Sequence, residues 1–139
     1  MLTSLDPVTR RPIDEILAET RAGCQRVDPV QAAALHDEGG LLVDIRPVEL
    51  RQRDGEIPEA VIVDRLKLEW RFDPASPHRL SVVDEGTYER PIVLFCEEGY
   101  ASTLAAASLR ALGLRGATDM VGGFNAWAAD GRPVTPARS

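Results

Sequence analysis

Cysteine is scarce in this chain of 139 residues: only Cys24 and Cys96 occur, far below the density of a small secreted scaffold held by disulfides. Lysine is scarcer, with Lys67 alone, so arginine carries nearly all the positive charge, a compositional bias without functional meaning of its own. The two histidines, His36 and His78, match no metal-ligand spacing, and no metal or cofactor is expected. No apolar run approaches the ~18 residues of a membrane span, and the start Met-Leu-Thr-Ser-Leu-Asp-Pro lacks the basic and apolar regions of a secretory leader. Positive charge is also in deficit: the net charge is -6 and the sequence pI about 4.9, which argues against nonspecific nucleic-acid or anionic-membrane binding. Neither Gly-x-x-x-x-Gly-Lys nor a post-strand Gly-x-Gly-x-x-Gly is present, which removes support for nucleotide binding. These absences make a reducing cytoplasm, where a free thiol persists, the expected location, with small molecules or other proteins as the expected partners.

What is present suits one domain with a single proper core. Helical periodicity predicts a short amphipathic helix from Pro12 to about Arg21, inside an N-terminal extension of residues 1–28. Asp28 is suited to N-cap a helix from Pro29 to about His36, ending near Gly39-Gly40. Apolar runs predict strands at Leu41 to Asp44, Ala60 to Val63, Pro91 to Phe95 and Ala117 to Val121. Between them fall a brief helix at Val48 to Arg53, a polar connection from Arg65 to Glu89 with some helix, and a helix from Ser102 to about Leu112. A last helix spans Phe124 to Ala129, and a tail covers 135–139. Buried strands alternating with helices imply an α/β domain, with a mostly parallel sheet covered on both faces. Ligands of such sheets lie beyond the carboxyl ends of the strands, where Asp44 and Cys96 both fall.

Cys96 is the residue around which chemistry is expected. It follows Ile92-Val93-Leu94-Phe95 and opens the loop Cys96-Glu97-Glu98-Gly99-Tyr100-Ala101-Ser102, ahead of an Ala-rich helix. Loop N-H groups and the positive end of a helix dipole stabilise an anion, here a thiolate, which makes Cys96 a candidate nucleophile. Cys24 lacks this context and reads as a small core or surface residue, with a resolving thiol for Cys96 as the alternative.

Several separated pieces agree with one family. Leu42-Val43-Asp44-Ile45-Arg46-Pro47, Glu49, Gly55-Glu56-Ile57-Pro58-Glu59-Ala60, the Cys96 loop, Val121-Gly122-Gly123-Phe124-Asn125-Ala126-Trp127 and Gly131-Arg132-Pro133-Val134 resemble the single-domain rhodaneses in order and spacing, over residues 29–134. The resemblance implies a sulfurtransferase whose cysteine alternates between thiol and persulfide. The donor would be thiosulfate or a thiol persulfide, and the acceptor a thiol, cyanide or a protein. On this chain it implies that Cys96 carries the sulfur. The backbone from Glu97 through Glu98, Gly99, Tyr100 and Ala101 to Ser102 would cradle it.

Departures from the pattern raise expectations of their own. Rhodaneses that use thiosulfate well commonly have arginine where this chain has Glu97 and Ala101. One like-charge contact at ~5 Å costs on the order of 3 kcal/mol at an effective dielectric of about 20, so thiosulfate is expected to be a poor donor. Arg65 and Arg71 are candidates to compensate, with Trp70 and Tyr100 as an apolar wall. Asp44 and Arg46 match the family's Asp-x-Arg, with Arg46 expected to pair with Glu49 or another nearby carboxylate, or to contact substrate. Glu56 and Glu59 replace the usual histidine and glycine of a mainly structural turn. A phosphatase of the same fold needs arginine six positions after the cysteine; position 102 is serine. The remaining rival is a catalytically weak rhodanese-like module for binding or for redox or sulfide sensing.

Overall fold

The computed structural model of the protein describes residues 9–138. Its sheet has four strands, β1 (Leu41–Asp44), β2 (Val61–Ile62), β3 (Ile92–Phe95) and β4 (Ala117–Asp119), in the spatial order β2-β1-β3-β4 with every pairing parallel. Six helices connect and flank them: α1 (Ile13–Ala22), α2 (Pro29–Asp37), α3 (Val48–Asp54), α4 (Leu68–Phe72), α5 (Ala101–Ala111) and α6 (Gly123–Ala129). Short 3-10 turns at Arg65–Lys67 and Glu85–Glu89 complete the long connection between β2 and β3.

Strand alternation splits the core in two. Leu41, Val43, Ile92 and Leu94 pack on one face with α4 and α5, where Leu68, Phe72, Ala105 and Leu109 are fully buried. Leu42, Val93 and Phe95 point to the other face, against Ala32 of α2 and Phe124 and Trp127 of α6. Each large apolar side chain removed from water in this way is worth about 1.5–3 kcal/mol. The doubly covered parallel sheet expected from the apolar runs is therefore present.

Two expected boundaries move for reasons that affect the site. The run from Ala117 keeps strand pairing only to Asp119; Met120 still donates to the Leu94 carbonyl, but Val121 donates to the carbonyl of Val27 at 2.8 Å. The end of β4 thus pairs with the N-terminal extension through a Val27–Met120 bridge. Helix α1 starts at Ile13, with Pro12 as its N-cap rather than in its first turn, and packs on α5. Asp28 caps α2 as expected, in a reciprocal pair with Gln31. No helix among the described residues is long and apolar enough to cross a membrane.

Candidate active site

Cys96 leaves β3 at the carboxyl end of the sheet, and the loop that follows is held by its carbonyl oxygens. The Cys96 carbonyl accepts from Phe124 N-H at 2.9 Å, and that of Glu97 from Asn125 N-H at 3.0 Å. The Gly99 carbonyl accepts two guanidinium N-H bonds, from Arg21 Nη2 and Arg26 Nη2, each at 2.9 Å. The loop's own N-H groups are mostly without partners in the chain. Gly99 N-H donates to Cys96 Sγ at 3.1 Å. Among the described residues Glu97, Glu98 and Tyr100 N-H have no acceptor within the chain. Ala101 and Ser102 stand in the first turn of α5, where N-H groups lack helical partners. Loop N-H groups without partners are the kind of donor that an anion-binding loop requires.

Two glycines permit this packing. At Gly123, where φ is +59°, a Cβ would lie 2.4 Å from the Cys96 carbonyl oxygen; at Gly99, where φ is +94°, it would lie 2.8 Å from Gly122 N. The Gly122-Gly123 pair before Phe124 therefore lets the start of α6 meet the Cys96 loop backbone to backbone.

Beneath the loop lies a polar cluster centred on Asp119, the fully buried last residue of β4. Its Oδ2 accepts from Ser102 Oγ at 2.8 Å and Thr103 Oγ1 at 3.0 Å. Arg26 closes the carboxylate bidentately, Nε to Oδ1 at 2.9 Å and Nη2 to Oδ2 at 3.0 Å. Ser102 Oγ lies 3.4 Å from Cys96 Sγ and accepts from the thiol. Arg21 Nε donates to Thr103 Oγ1 at 3.2 Å, and its guanidinium carbon stands 5.7 Å from the centre of the Tyr100 ring. The hydrogen bond to Asp119 holds the Arg26 guanidinium above its ordinary value against the downward pull of burial, with the charges of Asp119, Cys24 and Cys96 adding in the same direction.

On the other side of the loop, Asp44 and Arg46 form a fully buried ion pair at 2.8 Å. Arg46 also donates to the Gly55 carbonyl at 2.7 Å and to Glu97 Oε1 at 3.0 Å, and its guanidinium carbon lies 3.9 Å from the centre of the Phe124 ring. Its acidic partners are thus Asp44 and Glu97 rather than Glu49. Glu97 takes a second guanidinium, that of Arg53, at 3.3 Å. The carboxylate of Glu97, which the sequence reading sets before the donor, lies against Arg46 and Arg53, guanidinium groups that it shares with Asp44 and Asp54. Burial and the neighbouring Asp54 push the Glu97 carboxyl up, against the pull of Arg46. Asp54 is held well below the usual carboxylate range by the Arg53 hydrogen bond, with Glu97 second.

The other sequence candidates fall around this centre at different ranges. Glu98, Tyr100 and Ala101 are exposed on the loop and the first turn of α5. Arg65 pairs with Glu69 at 3.0 Å and reaches Ser108 of α5 at 3.4 Å. It also lines a cavity of about 400 Å³ together with Ile45, Arg46 and Pro47. Trp70 is exposed on α4, and Arg71 Nη1 donates to the His78 carbonyl at 3.2 Å within its own connection. Both cysteines are free thiols. Among the described residues no group of three or more His, Cys, Asp or Glu could hold a metal ion.

Sequence reasoning missed Arg21, Arg26, Arg53, Thr103 and Asp119. Asp119 carried a usable signal, being an acid closing an apolar strand, as Asp44 is; the arginines carried none, because their partners lie far along the chain.

Comparisons with known proteins bear on the family and the fold. The rhodanese-like domain model matches residues 28–130. A thiosulfate sulfurtransferase, GlpE of Pseudomonas savastanoi pv. phaseolicola, is 30% identical over 105 residues, which covers 76% of this chain and 88% of that protein. The human single-domain sulfurtransferase superposes with a TM-score of 0.62 at 27% identity, over 77% of this chain and 97% of that one. A Rhodopseudomonas palustris CGA009 protein of unknown function, described as a possible tyrosine phosphatase, superposes with a TM-score of 0.79 at 31% identity, over 94% of this chain and 99% of that one.

Proposed function

The chain belongs to the rhodanese-like domain family, and on that premise we propose that it is a sulfurtransferase in which Cys96 carries sulfane sulfur as a persulfide. The Cys96 thiolate attacks the sulfane sulfur of the donor. A Cys96 S-S bond forms, and the bond from that sulfur to the rest of the donor breaks. The donor remainder leaves with the electron pair, as sulfite from thiosulfate or as a thiolate from a thiol persulfide. Cyanide, a small thiol or a protein thiol then attacks the outer sulfur, and Cys96 leaves as thiolate again. Neither step needs an external oxidant, a reductant or a cofactor.

The observation that carries this reading is the orientation of the loop. The carbonyls of Cys96, Glu97 and Gly99 are tied to α6 and to Arg21 and Arg26, Gly99 N-H donates to Cys96 Sγ, and Glu97, Glu98 and Tyr100 N-H have no acceptor among the described residues. Preorganised N-H donors favour the anionic outer sulfur at no reorganisation cost. Glu97 shares Arg46 with Asp44 and Arg53 with Asp54, so the cluster keeps an excess of negative charge, and thiosulfate is read as a poorer donor than a thiol persulfide. Phosphate is a poor fit: Ser102 stands six positions after Cys96, and Arg21 and Arg26 both spend N-H groups on the Gly99 carbonyl. The matching compartment is a reducing cytoplasm, where two free thiols persist.

Loading tests the reading. The protein incubated with thiosulfate, mercaptopyruvate, glutathione persulfide or polysulfide is expected to gain one sulfur atom in intact mass with at least one donor, and Cys96→Ser none. No gain with any of the four would replace the enzyme by a binding or sensing module.

A further inference from the structure

We propose that Arg21 and Arg26, which precede the matched family domain, are positioning residues for the sulfur chemistry at Cys96, an assignment that rests on Cys96 being the persulfide carrier. The family match starts at residue 28, yet both guanidinium groups reach into the loop that surrounds the thiol. The loop has no basic side chain of its own, its polar and charged positions being Glu97, Glu98, Tyr100 and Ser102. Positive charge is delivered from behind it.

The first contribution is geometric. In a planar trans peptide the C=O and the following N-H point in opposite directions, so fixing one fixes the other. Arg21 and Arg26 hold the Gly99 carbonyl on the side of the extension, which turns the Tyr100 N-H away from it. Gly99 also supplies the N-H that touches Sγ at 3.1 Å, and, as a glycine at φ +94°, it has no side chain with which to resist displacement. The two arginines are what keeps this residue in register with the sulfur.

The second contribution is electrostatic, through Asp119 and Ser102. A hydroxyl has one proton. While Ser102 gives it to Asp119 at 2.8 Å, the sulfur 3.4 Å away meets hydroxyl lone pairs, which suits a thiol and not an anion. For Ser102 to turn its proton toward an anionic sulfur, the fully buried Asp119 must keep other donors. Arg26 supplies two, from Nε and Nη2, and Thr103 a third. Without Arg26, Asp119 would stand as a buried carboxylate beside the cradle and would retain the Ser102 proton.

The test uses the full chain with thiosulfate and glutathione persulfide as probes. Loading is followed by intact mass, and turnover to cyanide by steady-state kinetics, for the wild type and for Arg21→Gln, Arg26→Gln, Arg21→Lys and Arg26→Lys. The expected result is a kcat lower by about ten- to a hundredfold in both glutamine variants, the scale on which a misplaced reacting group is felt. KM should stay within about twofold, since ground-state binding of the donor is not what these residues supply. Arg21→Lys should recover part of the rate, because a single ammonium donor can still reach the Gly99 carbonyl. Arg21→Gln gives up the bonds to Gly99 and Thr103 and should lower the denaturation midpoint, yet it should stay folded under assay conditions, so that its loss of kcat exceeds any loss of folded fraction. A wild-type kcat in both glutamine variants would overturn the assignment, and so would losses of kcat that merely follow the folded fraction. A wild type that takes up no sulfur from either probe would overturn the carrier reading itself, and this assignment with it.

Discussion

Arg46 is the residue on which the most interactions converge. Its guanidinium is fully buried between Asp44, Glu97, the Gly55 carbonyl and the Phe124 ring. A buried ion pair is weak evidence of net stabilisation, but removing one partner leaves an uncompensated charge. Arg46→Met should therefore lower stability by about 3–5 kcal/mol through the orphaned Asp44, as read from the denaturant midpoint at unchanged slope. A loss below about 1 kcal/mol would mean that water reaches Asp44 once the arginine is gone. The same guanidinium fixes Glu97, so a residue that reads from sequence as an obstacle to anionic donors is also a strut of the loop. One-dimensional proximity to Cys96 could not convey this, because Arg46 lies on another strand's exit and the two meet only when β1 and β3 pair.

At the scale of elements, the site is a contact between two chain segments that leave the sheet at the same end: the Cys96 loop after β3 and the start of α6 after β4. Their approach depends on Gly123, where a Cβ would lie 2.4 Å from the Cys96 carbonyl oxygen and 2.9 Å from Glu97 C and O. Gly123→Ala should cost about 1–3 kcal/mol for the strained φ alone. It should also reduce sulfur loading in the fraction that remains folded, because the loop must shift to make room. Thermal unfolding together with intact-mass loading checks this, and full loading by a folded variant would show that the loop tolerates the displacement. Much at this scale was legible in the sequence. The strands were visible as apolar runs bounded by turn residues, the cap of α2 as Asp28 before Pro29, and the loop as a cysteine between a strand and an Ala-rich helix. The end of β4 was not, since Met120 and Val121 look like strand but find their partner in Val27, outside the four-stranded sheet.

Across the whole molecule, the described segments on both sides of the domain are tied to it by arginines. The extension reaches the site through Arg21 and Arg26. The C-terminal segment returns through the Glu56–Thr135 bridge, and Arg138 Nε donates to Glu56 Oε1 at 2.9 Å. Glu56, which reads as a minor exchange in a structural turn, is fully buried and also takes Arg51 at 2.8 Å. Burial pushes its carboxyl up, but the hydrogen bonds from Arg138 and Arg51 prevail and leave it below its usual value. A carboxyl lowered on folding contributes stability that is complete above its unfolded value of about 4.3 and is lost as pH falls through the lower folded value. Glu56→Gln should accordingly be less stable than the wild type at neutral pH, with the gap closing in acid below that window. A gap independent of pH would assign the effect to packing. These clasps were illegible in the sequence for one reason: arginine is so abundant here that no single copy announces a partner, and the partners lie 73 to 93 residues away.

The central claim is that Cys96 accepts a sulfur atom and hands it on, and a single-turnover transfer tests it most directly. The protein is loaded from a donor whose sulfane sulfur carries an isotopic label, freed of donor, and mixed with cyanide. One labelled thiocyanate per protein, return of the intact mass to its starting value, and no label on Cys96→Ser are the results predicted. Label that stays on the protein after cyanide, or that binds Cys96→Ser equally well, would contradict the account.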